Sequence, residues 1–328
     1  MLLPLAGWST HNRAGDITYE HLGGYTYRVT VTTCTFSEAP ADRPELTEFE
    51  WGDGTRDTLV RSQIIQTAPD YQKNIYYGTH TYAGPGTYTI GMFDPNRNAD
   101  IRNILNSVNQ PFCIKSTIVI SPVLGGNNSV QFQECPCPEI ACLFKRYCYT
   151  MGAFDPDGDS LSYELVVPYG DDCQQFALGI EYLYPDAPAN MSNPFSGGGG
   201  TATLDPHTGV FCWDAPQIMG EFNFAIKVNE YRNGILIGWV IRDIQITVGN
   251  CNNNPPEIDP LPDTCVYAGN SVSFGVTAFD GDAGVSGLIE MNAYGGPFGV
   301  PNSPATYTDN SPNQSTLSAQ IVNTINQR

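Results

Sequence analysis

The sequence predicts an all-β protein made of antiparallel sandwiches arranged in tandem. Apolar and polar residues alternate, as in Tyr27, Val29 and Val31, which is the period of a strand with one buried face. Turn-forming stretches such as GDG, DPDGD and EYRNG interrupt these runs. The length of 328 residues is enough for two or three sandwiches.

The overall charge restricts the partners of the chain. A formal net charge of -19 repels phosphate backbones and anionic lipid heads. Nucleic acid is therefore excluded as a partner. The ten cysteines favour an oxidising compartment, so we expect the protein to be extracellular or at the cell surface.

The N-terminus begins with the short apolar run MLLPLAGWS. Small residues at its end predict that residues 1–9 are the remnant of a signal peptide, and the alternative is an ordinary first strand. Further along the chain, no apolar run approaches the ~18 residues that a membrane span requires, so we expect no membrane insertion.

Two polar, turn-rich stretches divide the chain into three expected domains. SPVLGGNN follows a strand that ends at Ile120, and GNCNNNPPEIDP follows one that ends at Val248. The expected domains are residues 10–121, 122–250 and 251–328. The last is expected to be the start of a sandwich that is cut short, because no final strand comparable to those that close the first two domains is evident after Tyr294.

The first expected domain contains two linked motifs, EFEWGDGT at residues 48–55 and GTHTYAGPGTYTI at residues 78–90. Together they resemble the PKD domain, an immunoglobulin-like sandwich that is common in extracellular proteins. The usual phenylalanine between Trp51 and Gly52 is missing. The resemblance implies tandem immunoglobulin-like sandwiches in a linear array.

The segments at residues 10–35 and 253–274 are similar to secreted, multi-domain surface proteins of Bacteroidota, the gliding-motility-associated group exported by type IX secretion. This resemblance implies a structural or adhesive stalk. Its partners would be other domains of the same chain or other surface proteins, and self-association into a filament is a further expectation.

The second expected domain has an acidic turn, AFDPDGDSLSYEL, at residues 153–165. Asp155, Asp157 and Asp159 crowd three carboxylates into five residues, and a calcium ion would relieve their repulsion. The alternative is that Asp, Pro and Gly are simply good turn residues. With LDPHTGVFCWDAP at residues 204–216, the turn resembles cadherin-like repeats.

In cadherin-like arrays, calcium lies at the junctions between domains. Carried over to this chain, the resemblance implies that the second junction offers a further set of ligands: Glu230, Asn252, Asn254, Asp280 and Asp282.

The cysteines suggest two disulfides. Cys34 and Cys113 are the only cysteines of the first expected domain, which favours a bond between them. Cys251 and Cys265 bracket the proline-rich linker and would make it rigid.

Six further cysteines belong to the second expected domain and allow fifteen pairings: Cys135, Cys137, Cys142, Cys148, Cys173 and Cys212. A zinc site in CPCPEIACLFKRYC is the rival interpretation, but the spacing lacks a C-x2-C knuckle.

Catalytic motifs are missing from the sequence, so we expect no enzyme. An alternative function is a carbohydrate- or substrate-binding module of a secreted hydrolase, with polysaccharide as the partner. Its candidate aromatic residues are Tyr182, Tyr184, Trp239 and Tyr294.

Two tripeptides, at residues 57–59 and 159–161, resemble the acceptor for O-glycosylation used by Bacteroidota. They make Thr58 and Ser160 candidate glycosylation sites.

Overall fold

The computed structural model describes residues 12–37, 44–68, 70–133, 136–137, 139–251, 257–258, 267, 271–279, 305–309 and 316–324. The chain forms two compact units, Met1–Asn250 and Cys251–Arg328. The boundary expected after residue 250 coincides with this division. Residues on both sides of the other expected boundary, at 121 and 122, belong to one unit.

The first unit is built from sixteen described strands and two short 3-10 turns. The strands are β1 (Ala14–Gly23), β2 (Thr26–Phe36), β3 (Glu45–Glu50), β4 (Arg56–Ala68), β5 (Tyr71–Thr81), β6 (Gly86–Asp94), β7 (Phe112–Ile120), β8 (Gln131–Phe132), β9 (Glu139–Cys142), β10 (Tyr147–Tyr149), β11 (Ala153–Phe154), β12 (Ser160–Val166), β13 (Thr201–Leu204), β14 (Phe211–Asp214), β15 (Gly220–Arg232) and β16 (Ile235–Gly249). The turns are Ser107–Asn109 and Asp171–Cys173.

The first half of this unit is a sandwich. Strands β1, β2, β5, β4 and β3 pair in that order, and the sheet continues from β3 through β6 to β7, whose inward residues share one core with those of β2. The inward residues predicted on β2, Tyr27, Val29 and Val31, are buried in the core with Trp51 and Ile114. The all-β class predicted from the period of two is thus confirmed.

The residues of the PKD-like motifs form one cluster in this sandwich. The indole Nε1 of Trp51 donates to Asp57 Oδ2 at 2.8 Å, and the Tyr82 hydroxyl donates to the Trp51 carbonyl at 3.0 Å. The His80 ring stacks on Trp51, and its Nε2 lies 2.7 Å from Asp53 Oδ2. These contacts fix the two turns against each other.

The second half has its own core. The small sheet β10–β14–β13 packs against the sheet that contains β12, β15 and β16. Trp213 and Phe211 of β14 contact Phe222 and Phe224 of β15 in this core. Burying such aromatic side chains supplies most of the hydrophobic stabilisation of a small sandwich.

Strand β16 belongs to both halves. One of its edges pairs with β15 along almost its whole length. The other edge pairs with β7 at Gly238–Val240, with β1 at Asp243, and in parallel with β9 at Ile246–Gly249. The sheets of the two halves are therefore continuous, which is why residues 12–250 form one body.

Two buried ion pairs lie beside this shared strand. Arg242 of β16 donates to Asp16 of β1 at 2.7 Å, and Arg97 donates to Asp243 of β16 at 2.6 Å. All four side chains are at most 3% exposed. Burial alone would lower the pKa of Arg242, but the Asp16 carboxylate and the Tyr149 hydroxyl raise it overall.

The disulfides also join the halves. Cys34 of β2 is bonded to Cys137, and Cys113 of β7 is bonded to Cys173. The predicted bond between Cys34 and Cys113 is therefore wrong. Each of these cysteines finds its partner in a segment of the second half, because the first half is not an independent domain.

Within the second half, Cys148 of β10 is bonded to Cys212, its direct neighbour on β14. Cys142 and Cys251 are disulfide-bonded as well. Cys135 and Cys265 lie outside the described residues, so the predicted bond between Cys251 and Cys265 stays a prediction.

The second unit contains a sheet in the order β17–β18–β20–β19, from β17 (Glu257–Ile258), β18 (Ser271–Phe279), β19 (Thr306–Asp309) and β20 (Thr316–Thr324). The expectation that no comparable final strand follows Tyr294 is wrong, because β20 is nine residues long, like β7. β20 pairs with β18 over nine positions in spite of the polar composition of this part of the chain.

The buried pair between Asp16 and Arg242 yields a stability prediction. Asp16→Ala leaves the arginine charged and buried without its partner, which should cost about 3 to 5 kcal/mol of unfolding free energy in urea titrations. The double variant Asp16→Leu/Arg242→Met should recover most of this loss, because it removes both charges together.

A matched control lies on the same strand. Glu20 pairs with Arg28 at the surface, where both side chains are about half exposed. Glu20→Ala should cost only about 0 to 1 kcal/mol. Equal losses for Asp16→Ala and Glu20→Ala would contradict the importance of the buried pair.

Candidate cation site

The acidic loop predicted to bind calcium connects β11 to β12. Asp155 Oδ1 accepts hydrogen bonds from the backbone N–H groups of Asp157 and Asp159, at 2.8 and 3.0 Å. Gly158 has a φ of +83°, a conformation that disfavours other residues. This turn brings one carboxylate oxygen from each of the three aspartates within 4.8 Å of the others.

An arginine that sequence reasoning missed neutralises part of this cluster. Arg232, at the end of β15, donates to Asp159 Oδ1 and Oδ2 at 2.9 and 2.5 Å, and to Asp157 Oδ2 at 3.1 Å. The hydrogen bond to Asp159 is the main reason that the pKa of Arg232 is raised. Two of the three aspartates thus have a permanent counter-ion.

The segment expected to be a linker is tied to the same cluster. We call residues 121–130 the strap, since they run from β7 towards β8. Arg232 donates to the strap carbonyls of Leu124 and Gly126, at 2.8 and 3.0 Å. Asn128 donates to Asp157 through both its backbone N–H and its side chain, at 2.8 and 2.7 Å.

Glu230 lies beneath the strap and is completely buried. Its carboxyl group accepts hydrogen bonds from the Val130 backbone N–H and from Asn127 Nδ2, and the Tyr19 hydroxyl lies 3.4 Å away. Gly238 makes room for it, because a Cβ atom there would lie 2.6 Å from Glu230 Oε2. Close approach, and not backbone flexibility, requires glycine at this position.

Glu230 and Asp155 form no ion pair with Arg232, which pairs with the other two carboxylates of the cluster. Burial, followed by the negative charge of Asp155, raises the pKa of Glu230 to about 8. Burial also raises the pKa of Asp155, whose Oδ2 atom is buried and makes no hydrogen bond. Each of these two carboxyls therefore favours its protonated form or a nearby cation.

The structure places Glu230 differently from the sequence-based expectation. The resemblance implies a place at the second junction, but Glu230 pairs with Leu161 at the start of β12 and so adjoins the Asp155 loop. The hairpin β15–β16 explains the difference, because Glu230 lies at its turn and the junction follows its open end. The other expected ligands of that junction, Asn252, Asn254, Asp280 and Asp282, lie outside the described residues.

The aromatic residues proposed for carbohydrate binding do not form an exposed platform. Tyr182 is buried and donates its hydroxyl to the Asn223 carbonyl, so its assignment is wrong. Tyr184 is half-buried against it. Trp239 is half-buried, with the Lys227 ammonium 5.3 Å from its ring centre. Tyr294 lies outside the described residues.

The remaining sequence-based sites have different outcomes. Cys137, Cys142 and Cys148 are disulfide-bonded, which contradicts the rival zinc interpretation of CPCPEIACLFKRYC. Thr58 and Ser160 are both exposed, and glycosylation there stays a prediction. In the described part of the chain, no helix is long and apolar enough to cross a membrane.

Comparison with known proteins finds similar solved structures. No family model matches the sequence, and a search of curated proteins finds no match. A solved structure described as tandem Ig repeats of Dlar is 8% identical, with 68% of this chain and 90% of that chain covered and a TM-score of 0.22. At such a TM-score, the likeness carries no argument about arrangement or function.

A second similar structure is the Dpr2 Ig1-Ig2 in complex with DIP-Theta Ig1-Ig3. It is 8% identical, with 91% of this chain and 84% of that chain covered and a TM-score of 0.16.

The buried carboxyl of Glu230 predicts a pH dependence. In the unfolded chain it titrates near its ordinary pKa, whereas the folded protein keeps the proton up to about pH 8. The folded state therefore binds more protons in this interval, and its stability falls as pH rises from about 5 to 8.

In chelator, Glu230→Gln should flatten this decrease in unfolding free energy, because glutamine keeps the shape of the side chain but does not titrate. Urea titrations at several pH values measure the slope. Glu48→Gln, which removes an exposed carboxylate from β3, is the control and should keep the wild-type slope. If Glu230→Gln keeps the wild-type slope of unfolding free energy against pH, the Glu230 carboxyl is not the source of the pH dependence.

Proposed function

We propose that the chain is a rigid structural or adhesive segment of an extracellular bacterial surface protein. The observation that carries this proposal is the sharing of β16 between two sandwiches. A segment that transmits force between its ends must resist bending. A continuous sheet does so better than two domains joined by a flexible linker.

The bonding of the cysteines supports an extracellular location. All eight cysteines in the described residues are disulfide-bonded. Disulfides of this number persist in oxidising environments and are rare in the cytosol. The charge of -19 also fits a surface protein that must stay soluble and avoid nonspecific association with polyanions.

Within this segment, the candidate cation site holds the strap. Asp155 and Glu230 supply the carboxylate oxygens that calcium prefers, and Asp155 Oδ2 has no other partner. Arg232 forms ion pairs with both Asp157 and Asp159, and its positive charge opposes a cation beside them. A calcium ion would therefore bind mainly at Asp155 and Glu230 and would replace the proton that Glu230 otherwise keeps.

Limited proteolysis tests the rigid body. The strap resembles a linker in sequence, but its contacts with Arg232 and Asp157 should protect it. We expect proteases to cleave the strap of the native protein no faster than the strands around it. Rapid cleavage in the strap, giving two fragments that separate as folded bodies once the disulfides Cys34–Cys137 and Cys113–Cys173 are reduced, would contradict a fused pair of sandwiches.

Thermal melting with calcium and with chelator tests whether calcium binds the folded protein at this site. An ion at ten times its Kd that binds only the folded state stabilises it by about 1.4 kcal/mol, so calcium should raise the melting temperature measurably. Asp155→Asn should remove the increase because it removes the unpaired carboxylate.

Asp214→Asn, at an exposed position at the end of β14, is the matched control and should keep the increase. Identical melting curves in calcium and in chelator would contradict the proposed calcium site. The proposal of two fused sandwiches would be unaffected, because the proteolysis experiment tests it separately.

A further inference from the structure

Four turns meet at one end of the first unit. They connect β1 to β2, β5 to β6, β7 to the strap and β15 to β16. The Tyr82 backbone N–H donates to the Tyr25 carbonyl at 3.0 Å, which joins the first two turns. Gly86 of β6 pairs with Ile120 of β7, and Arg232 holds the strap against the β15–β16 turn. We call the four segments the distal turns: residues 22–27, 81–88, 118–127 and 233–238.

The distal turns are uncharged, although the chain as a whole has a net charge of -19. Their four segments contain no Asp, Glu, Lys, Arg or His. Carboxylates that adjoin the turns have basic partners within the protein. Glu20 pairs with Arg28, and both Asp157 and Asp159 pair with Arg232. The distal turns are therefore a neutral region on a strongly acidic protein.

Apolar side chains project into solvent from three of the distal turns. The exposed fractions are 47% for Leu22, 37% for Tyr25, 89% for Val123, 53% for Ile235 and 42% for Leu236. Single exposed apolar residues are common on protein surfaces, whereas several of them together mark an interaction surface. Burying these side chains is favourable, and no charged group of the distal turns has to lose its water in the process.

A second copy of the chain is the partner that this surface fits. Two molecules with a net charge of -19 repel each other wherever their acidic surfaces approach. This repulsion is smallest where the distal turns face each other, because they carry no charge. A basic partner would instead be attracted to the acidic surface outside the distal turns.

We propose that the distal turns of two copies pack against each other around a two-fold axis and form an end-to-end dimer. The contact uses the same surface on both copies, so it closes at the dimer and does not propagate. Few side chains of each copy take part, so the contact is small and the dimer is weak and reversible. This contact goes beyond the proposed function and does not rest on it.

Sedimentation equilibrium with the full chain, over a range of protein and salt concentrations, tests the proposal. We expect a monomer–dimer equilibrium whose dissociation constant falls as sodium chloride is added. Salt screens the repulsion between the two acidic molecules, whereas an apolar contact has no ion pairs for salt to weaken. A contact made of ion pairs would show the opposite dependence.

A charged variant tests the place of the contact. Val123→Asp puts a carboxylate on both facing ends and should raise the dimer dissociation constant by about tenfold or more. Met191→Asp is the matched control, because Met191 is 82% exposed but lies in the loop before β13, outside the distal turns. Both variants change the net charge equally, and only the first should weaken the dimer. Thermal melting verifies that each variant is folded.

A mixture of two variants tests whether the distal turns of the two copies face each other. Val123→Lys alone should weaken the dimer as Val123→Asp does, since like charges then meet at the contact. Mixing the two variants should restore the dimer, because opposite charges then lie on the facing ends. A mixture that dimerises no better than either variant alone would contradict the end-to-end arrangement.

Further results would overturn the proposal. One is a wild type that stays monomeric at every protein and salt concentration reached. Another is a dimer that dissociates as salt is added, because ion pairs would then hold the contact. Equal effects of Val123→Asp and Met191→Asp would place the contact elsewhere. Growth beyond the dimer would show an open-ended contact instead of a two-fold one.

Discussion

The hydrogen-bonding edge of β16 is the constraint on which the first unit depends. The strand is 15 residues long, and no single strand of either sandwich is long enough to satisfy its outer edge. β7, β1 and β9 satisfy that edge in succession, and two of them belong to the first half while β9 belongs to the second. Separating the two halves would leave backbone N–H and C=O groups of β16 without partners. Unpaired backbone groups in a buried sheet cost free energy, so the two halves stay together.

The polar contacts follow from this sharing. Where β1 meets β16, Asp16 and Arg242 are buried together, and Arg97 reaches Asp243 from the loop after β6. Buried pairs of this kind add little net stability over apolar residues, but they penalise any separation of the groups. They therefore act together with the two disulfides between the halves to specify one arrangement of the sandwiches.

The candidate cation site follows from the same arrangement. The turn of the β15–β16 hairpin brings Glu230 and Arg232 to the strap and the acidic loop, where four carboxyl groups lie close to a single guanidinium. Arg232 pairs with Asp157 and Asp159, whereas burial raises the pKa of both Glu230 and Asp155. The strap is thus fixed by electrostatic contacts although its sequence is typical of a linker.

The sequence by itself determined the strands and their inward faces, because the period of two appears in local residue order, as on β2. It also identified the acidic turn, since Asp155, Asp157 and Asp159 are neighbours in the chain. The tertiary structure alone decided what lies far apart in sequence: the bonding of Cys34 to Cys137, the burial of Tyr182, and the place of Glu230 beside Asp155. These depend on which strand edges pair, and alternation along one strand carries no information about its neighbours.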